Sequence, residues 1–139
     1  MKFRIIGSES LPGKFRAAAF AAFLFATVLP LSAESANTGT ISPREAKAVL
    51  SADSSVVLLD VRTREEYESG HIPRAVLLPY DEITGVSAAK AIPDKKTAVI
   101  VYCRSGRRSA IAADTLKNLG YRNVRDLGGI NAWPYETVK

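Results

Sequence analysis

The sequence predicts a three-layer α/β domain with a mainly parallel central sheet flanked by helices. Three observations carry that expectation. Apolar, β-branched runs alternate with helical patterns from about residue 41 to the end of the chain. The strongest runs, residues 56–61 and 98–102, are apolar almost throughout rather than alternating, as strands covered on both faces are. Helix-opening residues follow the strand ends, as in right-handed crossovers between parallel strands. With 139 residues and 47% hydrophobic content, the chain is long enough for one domain with its own core and not comfortably for two.

The N-terminus reads as a targeting segment. Lys2, Arg4, Lys14 and Arg16 precede an uncharged apolar run, residues 17–29, and small residues follow Pro30 up to Ala33. A basic start, an apolar middle and a small-residue exit are the layout of a secretory signal. The run is short for a membrane span, which needs about 20 residues. The expectation is a signal over residues 1–33, cleaved after Ala33, and a periplasmic or secreted product without stable membrane insertion. An uncleaved anchor is the alternative. The segment holds four cationic side chains against Glu9, so the formal charge falls from +5 to +2 once it is set aside. The remaining positive charge is dispersed except around Cys103, which argues against nucleic-acid binding.

Residues 34–40 are small and polar and read as a flexible lead to a domain over residues 41–138, with a short strand at Thr40-Ile41. Ser42, Pro43 and Glu45 form a helix start, with Ser42 as cap and Glu45 closing a capping box. Residues 56–61 form the next strand, and Asp60 near its end is a charge that needs a partner if buried; Arg62 or a backbone N–H would serve. Thr63 and Glu66 repeat the capping box ahead of a brief helix that stops at Gly70. Pro73 leads into a third strand over residues 75–78. Residues 81–91 suggest a helix weakened by Gly85, and Pro93-Asp94-Lys95-Lys96 is a turn. After the strand at 98–102, a helix is expected over residues 109–119, with Gly120 just past its end. A short strand over residues 123–127, a turn at Gly128-Gly129 and a short terminal helix complete the chain.

Cys103 stands at the end of the strand at 98–102 and is the single cysteine of the chain. It excludes an intramolecular disulfide, and a lone thiol in an exported protein points to a reactive sulfur or intermolecular pairing. Arg104, Ser105, Gly106, Arg107, Arg108 and Ser109 follow it directly. Inward-facing loop amides, a helix N-terminus and three guanidinium groups all favour a thiolate.

Leu59-Asp60-Val61-Arg62, Glu66-Tyr67, the run Gly70-His71-Ile72-Pro73-Arg74-Ala75, the run from Val101 to Ser109 and the run from Leu127 to Trp133 together resemble the rhodanese (thiosulfate sulfurtransferase) domain. The resemblance covers about residues 40–138. Arg74 departs from it, standing where the family commonly has glycine. The resemblance implies a sulfur carrier without metal or organic cofactor. Cys103 would be the nucleophile, taking sulfur from a small anionic donor such as thiosulfate as a persulfide and passing it to a thiol or cyanide. Arg104, Ser105, Gly106, Arg107, Arg108 and Ser109 would bind the donor and the persulfide, with Asp60 and Arg62 supporting. Arg108 has a second reading as a loop anchor, to Asp60 or another carboxylate. His71 and Trp133 read as structural.

Two other functions compete. Related phosphatases place an arginine six residues after the cysteine, where this chain has Ser109, so the loop is one residue too short for that pattern. A non-catalytic binding module is the stronger alternative. A thiol–disulfide oxidoreductase would want a resolving cysteine, which the chain lacks.

Overall fold

The computed structural model describes residues 38–139. The signal expected over residues 1–33 lies outside the described residues, as do the first four positions of the expected lead. Five strands, β1 (Gly39–Thr40), β2 (Val57–Asp60), β3 (Val76–Leu77), β4 (Ala98–Cys103) and β5 (Asn123–Gly129), form one sheet in the order β1-β5-β4-β2-β3. Every neighbouring pair is parallel. Helices α1 (Pro43–Ala52), α2 (Arg64–Ser69), α3 (Gly85–Ala91) and α4 (Arg107–Asn118) fill the crossovers, with single 3₁₀ turns at Tyr80–Glu82 and Ile130–Ala132.

The period-two geometry of a strand divides β4 between two cores. Val99, Val101 and Cys103 face an apolar cluster with Ala88 of α3 and Ala112, Ala113 and Leu116 of α4. Ile100 and Tyr102 face the other, with Ala46 of α1, Ile72, Leu127 and Trp133. Both faces of the central strand are therefore covered, which is why its sequence reads as continuous apolar residues. No helix among the described residues is long and apolar enough to cross a membrane.

Both capping boxes expected from sequence form, Ser42 with Glu45 and Thr63 with Glu66. Other boundaries move for identifiable reasons. The short strand expected at Thr40-Ile41 lies one residue earlier, where Gly39, read as flexible lead, and Thr40 pair in register with Arg125 and Asp126 of β5. The helix expected over residues 81–91 divides, because Thr84 caps through the Ser87 amide and places Gly85 at the first helical position. The helix expected from Ser109 begins at Arg107, since Gly106 adopts a left-handed conformation (φ 108°) and turns the chain two residues earlier. The glycine turn expected at 128–129 is instead the end of β5. There the ladder slips by one residue: Val101 pairs with Asp126, but Tyr102 pairs with Gly128. The resulting bulge is held by the Gly128 N–H donating to the Asp126 carboxylate at 2.8 Å.

Arg74 has φ 71°, the left-handed region in which a side chain is strained. Its guanidinium reaches back to α1 and the chain after it, donating to the carbonyl oxygens of Leu50 (2.6 Å), Ser54 (2.9 Å) and Val56 (3.4 Å). These bonds offset the backbone strain and tie the β3 approach to the end of α1.

Candidate active site

Cys103 closes β4 at the C-terminal edge of the sheet, where parallel α/β folds place their ligands. The chain then turns through Arg104, Ser105 and Gly106 into α4. That turn folds over the sulfur: the Gly106 N–H donates to Cys103 Sγ at 3.0 Å. Burial of the thiol opposes its ionisation. The amides of Ser109, Gly106 and Ser105 and the Ser109 hydroxyl outweigh that burial, and the thiol ionises below its ordinary range. The Ser109 hydroxyl is buried and also lies 3.0 Å from the Gly106 carbonyl and 3.2 Å from the Gly128 carbonyl, pinning the first turn of α4 to β5.

Cys103 is 1% exposed. One side of it packs into the apolar cluster under α4, while the loop amides face its sulfur. The arrangement thus joins a buried setting to polar donors aimed at the sulfur atom, the combination that favours a charged sulfur without bulk water.

The three arginines separate in role. Arg104 and Arg107 are exposed and make no ion pair among the described residues. Arg108, on the first turn of α4, grips the Glu66 carboxylate with both terminal nitrogens, at 2.7 and 2.8 Å. The anchoring carboxylate is therefore Glu66, not Asp60. The Arg108 guanidinium is the main reason the Glu66 carboxyl is held down at about 2, against a contrary push from burial; the Thr63 amide adds to it.

Asp60 is fully buried and saturated by neighbours. Its oxygens accept from the Arg62 backbone N–H (3.0 Å), from Arg62 Nε (2.9 Å) and Nη2 (2.6 Å), and from the Tyr102 hydroxyl (2.7 Å). Tyr102 in turn accepts the Ile72 N–H, and Arg62 donates to the Gly70 carbonyl. This network sits on the face of the sheet opposite Cys103 and joins the ends of β2 and β4 to the turn before β3. Removing one member of such a buried pair strands the other, at about 3–5 kcal/mol. Asp60 and Arg62 therefore support the site without touching the sulfur.

His71 is engaged elsewhere. Its ring stacks on Tyr67 at 3.7 Å, its Nδ1 lies 3.0 Å from the Tyr67 carbonyl, and its backbone pairs with Val138. Trp133 is 9% exposed, packs in the second cluster, and donates its indole N–H to the Glu136 carbonyl at 3.3 Å. A cavity of about 290 Å³ lies between the start of α2 and the segment after β3, walled by Thr63, Arg64, Leu78, Pro79 and Asp81 among others; Cys103 is not part of it.

Two features of the site escape a reading of the residues in order. Gly129 lies directly under the loop: a β-carbon there would collide with the Arg104 carbonyl and stand 2.7 Å from Ser105 Cα. The Asn131 N–H holds the same Arg104 carbonyl at 3.2 Å. Glu66, legible as a helix cap, carries its second duty only because the first turn of α4 brings the Arg108 guanidinium within its reach.

Comparison with known proteins fits this geometry. Residues 42–136 match the Rhodanese-like domain family. The chain belongs to that family. Among curated rhodanese relatives it is 39% identical over 81 residues to the thiosulfate sulfurtransferase PspE of Escherichia coli, covering 58% of this chain and 77% of PspE. It is 37% identical over 103 residues to the probable adenylyltransferase/sulfurtransferase MoeZ of Mycobacterium tuberculosis, covering 73% of this chain and 26% of MoeZ. The chain thus spans about a quarter of the length of such two-function relatives. Among solved structures, a rhodanese with anions from E. coli aligns with a TM-score of 0.57 at 36% identity, over 60% of this chain and 98% of that one. The human single-domain sulfurtransferase TSTD1 aligns with a TM-score of 0.60 at 25% identity, over 68% and 93% of the two chains. The rhodanese fold, a single α/β domain with a five-stranded parallel sheet, is common to them, and sulfur transfer in general is the activity that these relatives' names share.

Proposed function

We propose that this protein takes a sulfane sulfur from an anionic donor such as thiosulfate onto Cys103 and hands it to a thiophilic acceptor, cyanide or a thiol. The observation that carries the reading is the Gly106 N–H directed at Cys103 Sγ from 3.0 Å. In the first half-reaction the thiolate attacks the outer sulfur of thiosulfate. The donor S–S bond breaks, sulfite leaves with the bonding pair, and Cys103 becomes a persulfide. In the second, the acceptor attacks the terminal sulfur and Cys103 departs as a thiolate. The terminal sulfur of the persulfide is anionic, and the amides of the 104–109 segment are the donors that would hold its charge. Arg104 and Arg107, exposed beside the loop, supply attraction for the donor.

The test is intact mass after incubation with thiosulfate. The expected result is a single added sulfur, removed by cyanide and missing in Cys103→Ser. A folded protein that gains no sulfur overturns the reading. The 1% exposure of Cys103 favours a second reading, a non-catalytic binding module, and absence of the adduct would support it. Phosphatase chemistry has less support, since both terminal nitrogens of Arg108 are committed to Glu66.

The targeting segment adds a compartment to the proposal: the mature protein works in the periplasm or outside the cell. N-terminal sequencing of exported material should begin at Glu34; a product starting at Met1 would argue for an uncleaved anchor.

A further inference from the structure

We infer that Glu66 sets the positive charge that an anion meets at Cys103, by neutralising Arg108 while Arg104 and Arg107 make no ion pair among the described residues. The inference rests on the sulfur-transfer reading for the nature of the anion, and on geometry for the rest.

Three guanidinium groups follow the sulfur within five residues, and among the described residues only Arg108 has a carboxylate partner. The Arg108–Glu66 pair is bidentate and part-buried, its side chains 21% and 27% exposed, so solvent and salt screen it less than a surface pair. Glu66 is held from its other side too. Its Oε2 accepts the Thr63 N–H at 3.0 Å as part of the cap of α2. The carboxylate is therefore fixed in place by two elements 42 residues apart and cannot follow an incoming ligand. Arg108 in turn sits on the first turn of α4, the helix whose N-terminal amides face the sulfur, and its charge and that of Cys103 act on one another.

A chemical reason for such compensation exists in the reaction itself. Thiosulfate arrives as a dianion and sulfite leaves as one. A third free guanidinium would tighten both alike, and uniform binding slows release without speeding the chemical step. Glu66 removes that excess charge and leaves Arg108 as a strut between α2 and α4.

Glu66→Gln separates charge from shape, because glutamine also closes a capping box. The experiment uses the full chain and compares alkylation of Cys103 by iodoacetate, an anion, and by iodoacetamide, its neutral counterpart. Their rate ratio reads the charge at the sulfur and cancels the thiolate fraction. Glu66→Gln should raise the ratio about three- to tenfold at low salt, the effect of one added charge near a surface site, and the gain should shrink in high salt. Arg108→Gln should lower it to a similar extent, and the double variant should return it close to wild type. A ratio unchanged in folded Glu66→Gln overturns the inference. So does a double variant as disturbed as the single ones, which would mark the pair as a structural strut alone, and so does a Cys103 that neither reagent modifies in the folded protein. Neither reagent carries sulfur, so the ratio is read independently of transfer. Thiosulfate adduct formation by mass, run in parallel, reports on the sulfur-transfer reading separately.

Discussion

Gly129 and Ser105 are packed backbone against backbone: a β-carbon on the glycine would stand 2.7 Å from Ser105 Cα, well inside any real contact. The sulfur-bearing loop thus rests on bare main chain at the end of β5, and the Asn131 N–H clamps its first carbonyl from the same side. Gly129→Ala must lift the loop. Its amides would then lose their aim at the sulfur, since the clash is with backbone rather than with a side chain that can swing away. Persulfide formation should fall roughly a hundredfold, with about 1–3 kcal/mol of lost stability from overpacking. Rates of adduct formation beside a urea titration check this. A variant that loses stability but keeps its rate would show that the seat does not position the loop.

Ionisation of Cys103 ties its reactivity to stability. Its folded thiol ionises below its ordinary value, because the amides of Ser109, Gly106 and Ser105 outweigh its burial. As pH rises through the window between the two, the folded state gives up its proton first, so the unfolded state binds more protons and stability increases with pH. The stabilisation is complete above the unfolded value and is lost as pH falls through the folded one. Wild type should therefore gain stability relative to Cys103→Ala between neutral pH and about pH 9. Paired urea titrations at pH 6 and pH 9.5 measure the difference, and an alkylation profile with a midpoint at or above that of free cysteine would contradict the premise.

Arg104 and Arg107 should act on the donor rather than on the chemistry. Each changed to Gln should raise the KM for thiosulfate about three- to tenfold, and salt should erase the difference because exposed charges are screened within about 10 Å at 0.1 M. Steady-state kinetics at two ionic strengths measure this. A fall in kcat at unchanged KM would move these side chains from attraction to a direct part in the reaction.

Arg74 offers a balance of two terms. Arg74→Gly relieves a left-handed backbone costing about 1–2 kcal/mol and forfeits the bonds to Leu50, Ser54 and Val56. Two of those bonds are solvent-exposed and one is part-buried; at the low end of about 0.5 kcal/mol each the three sum to about 1.5 kcal/mol, so relief and loss nearly cancel and the net change should stay within about 1 kcal/mol. Arg74→Ala keeps the strain, loses the bonds, and should cost about 1–2 kcal/mol more than the glycine variant. Urea unfolding of the two proteins compares them directly. Equal stabilities would mean that the φ of 71° carries no strain.

Local rules carried much of the fold. Ser42 and Thr63 cap because a hydroxyl followed three residues later by glutamate satisfies the first amides of a helix wherever it occurs. The continuous apolar character of β4 revealed a strand buried on both faces. Boundaries that depend on partners were less legible. Gly39 and Thr40 are strand only because β5 lies beside them, and Gly128 and Gly129 are strand only because the bulge at Leu127 lets them pair with β4. The start of α4 turned on the left-handed conformation of Gly106, which a glycine permits and does not announce.

At the site, the division is between what is near in the chain and what is near in space. The sequence by itself determined that one thiol would sit at a strand end, before a helix and among arginines, because strand, turn and helix start are contiguous there and their patterns are local. Only the tertiary structure decided that Arg108 answers to Glu66 rather than to Asp60, that the Tyr102 hydroxyl joins the Arg62 foreseen as the partner of Asp60, and that Gly129 bears the loop. Those relationships join residues up to 42 positions apart. They exist because parallel strands bring distant segments side by side at one edge of the sheet, and pairing across that edge is set by packing, which no local pattern encodes.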